Sequence, residues 1–180
     1  MNGHKTIVAQ QPDFFTEAEL QDFIAFVLAG GEVADAVLGN NVRKAKCLIF
    51  LRQGDCLSGV AALKNPLQSY RQKIEKKTGV PVAASDFPFE LGYIFVLPSA
   101  RRQGLSVELT SAALSAAEGK GVFATTRTNN LGMLATLGKF GFVQSGCVYA
   151  SRKANQDIQL FLWPAALLDA PRGTPQKACS

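Results

Sequence analysis

A strand, a helix and a second strand follow one another near the middle of the chain, and this pattern constrains the fold most. Phe89 to Leu97 is an apolar, β-prone run that ends at Pro98. Leucines and alanines on one face then predict a helix over residues 104–118, and Val122 to Thr126 is typical of a short strand. Such a unit needs two parallel strands, because the crossover helix returns the chain to the end of the sheet where the first strand began.

The segments on either side predict further helices and antiparallel strands. Thr16 and Glu19 form a capping-box pattern before an apolar periodicity, which predicts a helix over about residues 16–29. A short second helix is expected from Glu32 to Leu38, with Gly39-Asn40-Asn41 as its end. The remaining predicted elements are a hairpin with strands 46–51 and 57–63, a helix 66–78, a loop 79–88, a helix 129–139, and strands 143–149 and 158–163. The predicted fold class is α/β, with an α+β mixed sheet and helices on its faces.

Length and composition indicate one globular domain with a well-filled core. The chain has 180 residues, of which 47% are hydrophobic and 18% charged, and this balance is too apolar for a disordered protein. We expect a single domain over residues 1–170 and a loosely held tail over residues 171–180. The net charge of +5 suits an anionic ligand. No long basic run favours nucleic acid, which stays open as a partner.

The N-terminus and the cysteines indicate the compartment and argue against a metal site. The first residues contain no apolar signal core and no segment approaches the length of a membrane span, so we expect a cytoplasmic protein with no membrane partner. The four cysteines show neither a CxxC pair nor metal-ligand spacing, so no metal is expected. If Gln53-Gly54 is the hairpin turn, Cys56 lies opposite Leu51 and not Cys47, and free thiols are expected throughout.

The segment between the central strand and its helix has the composition of an anion-binding turn. A helix start leaves backbone N–H groups without partners and carries a partial positive charge, so an anion placed there is stabilised by both. Gly104 lets the backbone approach a ligand with no Cβ in the way. Arg101 and Arg102 can add charge-assisted hydrogen bonds to phosphate oxygens. These residues alone predict an α/β domain with an anion site.

Three spaced motifs accompany this turn. Residues 96–106 have the pattern V-x-P-x-x-R-x-x-G-x-S. Asn130 is followed twelve residues later by Phe142 within G-K-F-G-F, and Glu90 lies six residues before Val96. Together they resemble the GNAT superfamily of coenzyme A-dependent N-acyltransferases over roughly residues 44–163, with Ser106 as a departure from the Gly or Ala that is usual in that family. The resemblance implies the GNAT-like acyl-CoA N-acyltransferase fold, a mixed parallel and antiparallel central sheet flanked by helices.

The same resemblance implies acetyl-CoA as co-substrate. The end of the central strand would pair its backbone with the pantetheine arm, and the turn and helix start would hold the pyrophosphate. Asn130 would face the pantetheine side of the cofactor. The pantetheine-pairing residues are Phe95, Val96 and Leu97, and the pyrophosphate-binding residues are Arg101, Arg102, Gln103, Gly104, Leu105 and Ser106.

Acyl transfer from a thioester to an amine needs a base, because only the neutral amine is a nucleophile. The resemblance implies Glu90 for this role, since some members carry a glutamate base there. Many members also place a tyrosine acid five residues before the last Phe of the helix motif, where this chain has Leu137. Tyr149 or Tyr93 could substitute as the acid. A thiol has a pKa near 8.5, so the thiolate leaves without indispensable help from an acid.

The predicted function is transfer of an acetyl group from acetyl-CoA to a primary amine by direct transfer in a ternary complex. The acceptor is a small molecule or a protein, and the chain is expected to be a monomer or a homodimer. Two alternatives stay open. Leu137 favours a GNAT-fold binding or regulatory domain with weak catalysis. The basic balance, with a face carrying Arg71, Lys73, Lys76 and Lys77, favours an acyltransferase acting on nucleic acid or charged transfer RNA.

Overall fold

The computed structural model describes residues 4–31, 35–151 and 156–165. The strands in these residues are β1 (Lys5–Gln10), β2 (Cys47–Gln53), β3 (Cys56–Lys64), β4 (Phe89–Val96), β5 (Val122–Arg127), β6 (Val143–Ala150) and β7 (Asp157–Trp163). The helices are α1 (Glu17–Ala29), α2 (Asp35–Arg43), α3 (Gln68–Thr78), α4 (Leu105–Ala116) and α5 (Leu131–Lys139). Short 3-10 turns lie at Pro12–Phe14 and Pro98–Ala100.

The strands form one mixed sheet in the order β1-β2-β3-β4-β5-β7-β6. The pairs β1–β2, β2–β3, β5–β7 and β6–β7 are antiparallel. The predicted fold class, a mixed sheet with helices, is confirmed. By its internal contacts the chain divides into a first unit, Met1–Asn65 with Leu91–Glu118, and a second unit, Pro66–Glu90 with Gly119–Ser180.

The first unit is built on α1 and the β2–β3 hairpin. The Thr16 hydroxyl accepts from the Glu19 backbone N–H at 3.3 Å, and the Glu19 carboxylate accepts from the Thr16 N–H at 2.9 Å. This capping box satisfies two donors at the helix start, as predicted. One face of α1 packs on the hairpin in a cluster that includes Leu20, Phe23, Ile24, Val27, Leu48, Phe50, Val60 and Ala62.

The second unit has its own core between α3 and the strands that follow. Ile74, Val82, Phe123 and Leu160 are buried there. Gly79 adopts φ 73° and ends α3, as glycine does at left-handed helix caps. The predicted helix over 66–78 and the loop over 79–88 are thus both confirmed.

Two details of the first unit differ from prediction. The second helix does not end at Gly39, because α2 continues to Arg43. Leu38 and Val42 are both fully buried one turn apart, and burial of that face outweighs the glycine penalty of about 1 kcal/mol. The hairpin turn is Gly54-Asp55, so Gln53 pairs with Cys56 and Leu51 with Gly59, not with Cys56. Residues 32–34, where the second helix was predicted to begin, lie outside the described residues.

Strand β1 was not predicted at all. The side chains of all its residues are exposed, so the segment lacks the alternation of apolar and polar residues that marks a half-buried strand. Its backbone nevertheless pairs with β2 over its whole length, from Lys5 opposite Gln53 to Gln10 opposite Leu48. The pairing, not side-chain burial, therefore defines this strand.

The prediction of free thiols is confirmed for Cys47, which is buried, and for Cys56, which is exposed. It is wrong for Cys147, which is disulfide-bonded. Cys179 and the predicted tail over 171–180 lie outside the described residues. None of the described helices has the length and apolar composition that a membrane span requires. The single domain over residues 1–170 stays a prediction.

Candidate functional site

The predicted anion-binding turn joins β4 to α4 in the first unit. Gly104 has φ 79°, and a Cβ added there would meet no atom within 4 Å, so the backbone at the helix start is open. Arg102 also adopts a positive φ of 65°. The N-cap residue Gly104 has no side chain with which to cap α4. The start of α4 therefore presents the partial positive charge of a helix N-terminus beside open space at Gly104.

Neighbouring side chains hold the turn in place. The Gln53 amide, at the end of β2, donates to Gln103 Oε1 at 2.9 Å. Glu108, an acid in the first turn of α4, forms a 2.6 Å ion pair with Lys5 of β1. This pair offsets a carboxylate charge that would repel a bound anion. β1 and β2 thus both contribute to the turn.

Arg101 is anchored at the end of β4. Its Nε donates to the Val96 carbonyl at 3.2 Å, and its guanidinium lies 5.9 Å from the Phe95 ring centre. Arg101, Arg102, Gln103 and Gly104 are all exposed, whereas Leu105 is buried and Ser106 is half-buried. Two exposed guanidinium groups beside an uncapped helix start fit a pyrophosphate.

The backbone at the end of β4 is partly committed within the chain. The Leu97 N–H donates to the Ser58 carbonyl at 3.0 Å, and the Leu97 carbonyl accepts from Ala100 at 2.9 Å. Successive strand residues direct their backbone groups to opposite edges. The Val96 N–H therefore points to the edge opposite Ser58. Of the residues predicted to pair with pantetheine, Val96 is the best placed to donate.

Glu90, the predicted base, lies at the start of β4 in the second unit and is only 3% exposed. The Tyr70 hydroxyl on α3 donates to Glu90 Oε1 at 3.0 Å. The Thr125 hydroxyl on β5 in turn hydrogen-bonds the Tyr70 oxygen. Burial, and then the charge of Glu90, raise the pKa of Tyr70 well above its usual value. The phenol therefore stays protonated at neutral pH and can donate to the carboxylate.

Tyr149, one of the two tyrosines predicted as acids, belongs to the same group. Burial, and then the charge of Glu90, raise the pKa of Tyr149 to about 12. The Lys77 ammonium lies 4.7 Å from the centre of the Tyr149 ring. The structure thus brings Glu90, Tyr70 and Tyr149 together within the second unit.

Tyr93, the other predicted acid, has a different environment in the first unit. Its ring packs edge-on against Phe23 at 6.5 Å between ring centres, and the Lys64 ammonium lies 4.7 Å from its centre. Its φ of 55° is unusual for a residue with a side chain. Next to it, a Cβ at Gly92 would lie 2.8 Å from Lys64 Cε. The backbone of β4 is thus irregular at these two residues.

Asn130 and Leu137 mark the two parts of the predicted helix motif. Asn130 is the N-cap of α5, and its side-chain oxygen accepts from the Met133 N–H at 3.2 Å. This bond explains why an asparagine begins the helix. Leu137 is fully buried, so its side chain serves the core at the position where many family members carry a tyrosine.

The predicted basic face of α3 is smaller than expected. Arg71 is only 5% exposed, and its guanidinium donates to the carbonyls of Val82 and Phe87, each at 2.7 Å, and of Pro88 at 2.6 Å. Burial lowers the pKa of Arg71, while the charge of Glu90 acts in the opposite direction. Arg71 is therefore an internal support of the 79–88 loop and not part of a surface for nucleic acid.

The prediction from sequence did not identify Tyr70 or Thr125 as part of the site. One signal was present, because Tyr70, Ile74 and Thr78 recur every four residues and so share one face of α3. A tyrosine on the buried face of a helix needs a partner for its hydroxyl. That the partner is Glu90, twenty residues along the chain, follows only from the tertiary structure.

The described residues contain no cluster of three or more His, Cys, Asp or Glu side chains that could hold a metal ion. Each of the two units accordingly contains one candidate site, described by itself. The first unit holds an anion-binding turn at the start of α4. The second unit holds a buried carboxylate with two protonated phenols.

Comparisons with known proteins agree with the resemblance of the motifs. A sequence model of the acetyltransferase (GNAT) family matches residues 12–142. No curated protein matches the chain at a significant level. Similar folds occur in an acyl-CoA N-acyltransferase from Pseudomonas aeruginosa, with 16% identity and a TM-score of 0.65 over 88% of this chain and 99% of the other. The protein yncA from Salmonella typhimurium, solved with its cofactor acetyl-CoA, gives 15% identity and a TM-score of 0.60 over 93% and 99% of the two chains.

A third similar structure is Arabidopsis thaliana Naa50 in complex with the bisubstrate analogue CoA-Ac-MVNAL. It shares 13% identity with a TM-score of 0.61 over 87% of this chain and 97% of that one. At these identities the structural matches establish the fold, while the sequence model spans well over half of the chain. The chain therefore belongs to the acetyltransferase (GNAT) family.

Proposed function

We propose that the chain is an N-acetyltransferase that uses acetyl-CoA and transfers the acetyl group directly to a primary amine in a ternary complex. The observation that carries this proposal is the uncapped start of α4 behind Gly104, flanked by Arg101 and Arg102. Its donors match the charge and geometry of a pyrophosphate. The acetyl-CoA in the Salmonella typhimurium structure supports the same ligand here.

In this proposal acetyl-CoA supplies an acetyl thioester, and the chain supplies positioning and proton handling. Arg101 to Ser106 hold the pyrophosphate, and the Val96 N–H donates to the pantetheine arm or to the developing oxyanion. Asn130 faces the pantetheine through the part of its side chain that α5 does not use. A new N–C bond forms as the C–S bond breaks, and the thiolate leaves with the electron pair of that bond.

Glu90 is proposed as the base that takes the proton from the attacking amine, directly or through water. Its burial supports the role, because electrostatic interactions with an incoming amine are stronger away from bulk water than at an exposed site. The neighbouring Tyr149 is proposed mainly as a hydrogen-bond donor and not as the general acid. With a pKa of about 12 it is a weaker acid than a thiol, so transfer of its proton to the departing thiolate is unfavourable.

Calorimetry with acetyl-CoA, followed by a screen of amines with thiol release as the readout, tests the proposal. Polyamines, amino acids, aminoglycosides and peptides with free N-termini or lysines are the acceptor classes to compare. We expect acetyl-CoA binding and thiol release with at least one class, and loss of release in Glu90→Gln. No binding at millimolar acetyl-CoA would contradict the proposal. Binding without turnover on any amine would favour the regulatory domain that Leu137 suggests.

A further inference from the structure

We propose that Tyr70 is the positioning residue of the base: its hydroxyl fixes the orientation of the Glu90 carboxylate. This inference rests on the proposed function and adds to it a residue outside the motifs of the sequence. Tyr70 acts through Glu90 and does not itself touch the acetyl group or the amine in this proposal.

The first support is a directed pair of hydrogen bonds. The Thr125 hydroxyl donates to the Tyr70 oxygen, and the Tyr70 hydroxyl donates to Glu90 Oε1 at 3.0 Å. A hydroxyl that accepts one bond becomes a stronger donor in the next, so the two bonds reinforce each other. A donor aimed at a carboxylate oxygen holds the carboxylate in one orientation, which a base needs in order to meet the proton that it takes.

The second support is the residue next in sequence. Arg71 binds the carbonyls of Phe87 and Pro88, which immediately precede β4. Two adjacent residues of α3 therefore both restrain Glu90. Arg71 fixes the backbone that leads into Glu90, and Tyr70 fixes the Glu90 side chain. Because its backbone and side chain are both restrained, the carboxylate keeps one orientation and loses little side-chain entropy during the reaction.

The third support is that the half-buried Tyr70 packs against the core of the second unit and needs a partner for its hydroxyl. A phenol shielded from water without a hydrogen-bond acceptor would cost free energy, and the Glu90 carboxylate provides one. The titratable and charged groups that act on Glu90 include Tyr70 and Arg71 from α3 and Tyr149 from β6. Of these, Tyr70 makes the defined hydrogen bond to the carboxylate.

Tyr70→Phe tests the proposal, because it removes the hydroxyl and keeps the ring. We expect kcat with the amine to fall about tenfold, since a hydrogen bond to a charged group is lost. The KM for acetyl-CoA should stay unchanged. A fall in kcat without a change in this KM separates the loss of a positioned base from a loss of cofactor binding. Thr125→Val should lower kcat in the same direction by less.

Ile74→Val is the matched control for a purely structural effect. Ile74 lies one turn after Tyr70 on the same buried face of α3 and carries no polar atom. The Ile74→Val variant should lower the melting temperature and leave kcat with the amine as it is in the wild type. In a double-mutant cycle, adding Tyr70→Phe to Glu90→Gln should cost little further activity, because both changes remove the same function.

Three outcomes separate the two proposals. If Glu90→Gln lowers turnover while Tyr70→Phe leaves kcat unchanged, the role of Tyr70 is overturned and the proposed function stands. If Tyr70→Phe and Glu90→Gln lower turnover by independent factors, the role of Tyr70 is again overturned. If Glu90→Gln keeps full turnover, the base assignment fails and the role of Tyr70 falls with it, whereas acetyl-CoA binding still reports on the rest of the proposed function.

Discussion

The two tyrosines near Glu90 are better suited to donating hydrogen bonds than to giving up their protons. Tyr149 and Tyr70 both have a pKa raised by burial and by the charge of Glu90. A raised pKa suits a residue that must remain a donor over the whole working range of pH. It suits less well a residue that must give its proton away, since a phenol with a pKa of about 12 holds its proton more tightly than a thiol does.

A titration of the tyrosines tests this assignment for Tyr149. The phenolate absorbance of the wild type should contain a step near pH 12, and Tyr149→Phe should remove that step. The folded-state pKa lies above the usual value of 10, so the contribution to stability is complete below pH 10 and is lost as the pH rises through about 12. A Tyr149 step that titrates near pH 10 would contradict the buried environment beside Glu90.

Gly104 allows a second test at the scale of one residue. Its φ of 79° is unfavourable for a residue with a Cβ, although that Cβ would meet no atom. Gly104→Ala should therefore destabilise the fold by about 1 kcal/mol through backbone strain alone. Affinity for acetyl-CoA should fall more than stability does, because a methyl group would stand in the proposed pyrophosphate space. Calorimetry and urea unfolding measure the two effects separately. Gly138→Ala is a suitable control, since Gly138 is exposed within α5, a Cβ there would meet no atom within 4 Å, and the residue is far in sequence from the turn.

At the scale of elements, helix α3 does more than its amphipathic pattern indicates. Its buried face carries Arg71 among apolar residues, and that guanidinium satisfies three loop carbonyls. A charged residue on a buried face is expected only where it is fully paired. The 79–88 loop thus has its backbone supported from the helix. The same support places the start of β4.

Arg71→Met should destabilise the protein strongly, because it keeps the aliphatic volume and leaves the loop carbonyls without donors. We expect a loss of about 3 kcal/mol or more in the free energy of unfolding, measured by urea denaturation. Lys76→Met, an exposed position on the same helix, should change stability by less than about 0.5 kcal/mol. Equal effects of the two substitutions would show that Arg71 is not an internal support.

Across the whole molecule, local patterns predicted most elements, and long-range contacts decided the remainder. The helix 16–29 and the strand Phe89–Leu97 were predictable because capping and apolar periodicity lie within a few residues. β1 was not predicted because all its side chains are exposed and show no alternation of buried and exposed positions. α2 extends beyond its predicted end because Leu38 and Val42 are buried. The anion turn was readable as a contiguous motif. The contact of Tyr70 with Glu90 was not, because no local rule joins residues that far apart.

Ligand binding offers a test that involves the entire chain. A ligand that binds only the folded state stabilises it by about 2.7 kcal/mol at a hundred times its Kd. For a chain of this size that corresponds to a rise of roughly 5–10 °C in Tm. Acetyl-CoA should produce such a rise. S-acetylpantetheine, which carries the thioester and lacks the pyrophosphate, should produce a far smaller rise in Tm at the same concentration.

An Arg101→Ala, Arg102→Ala double variant should abolish most of the difference between the two ligands, because the turn would no longer favour the pyrophosphate. Equal shifts from both ligands in the wild type would mean that the turn before α4 does not bind the pyrophosphate.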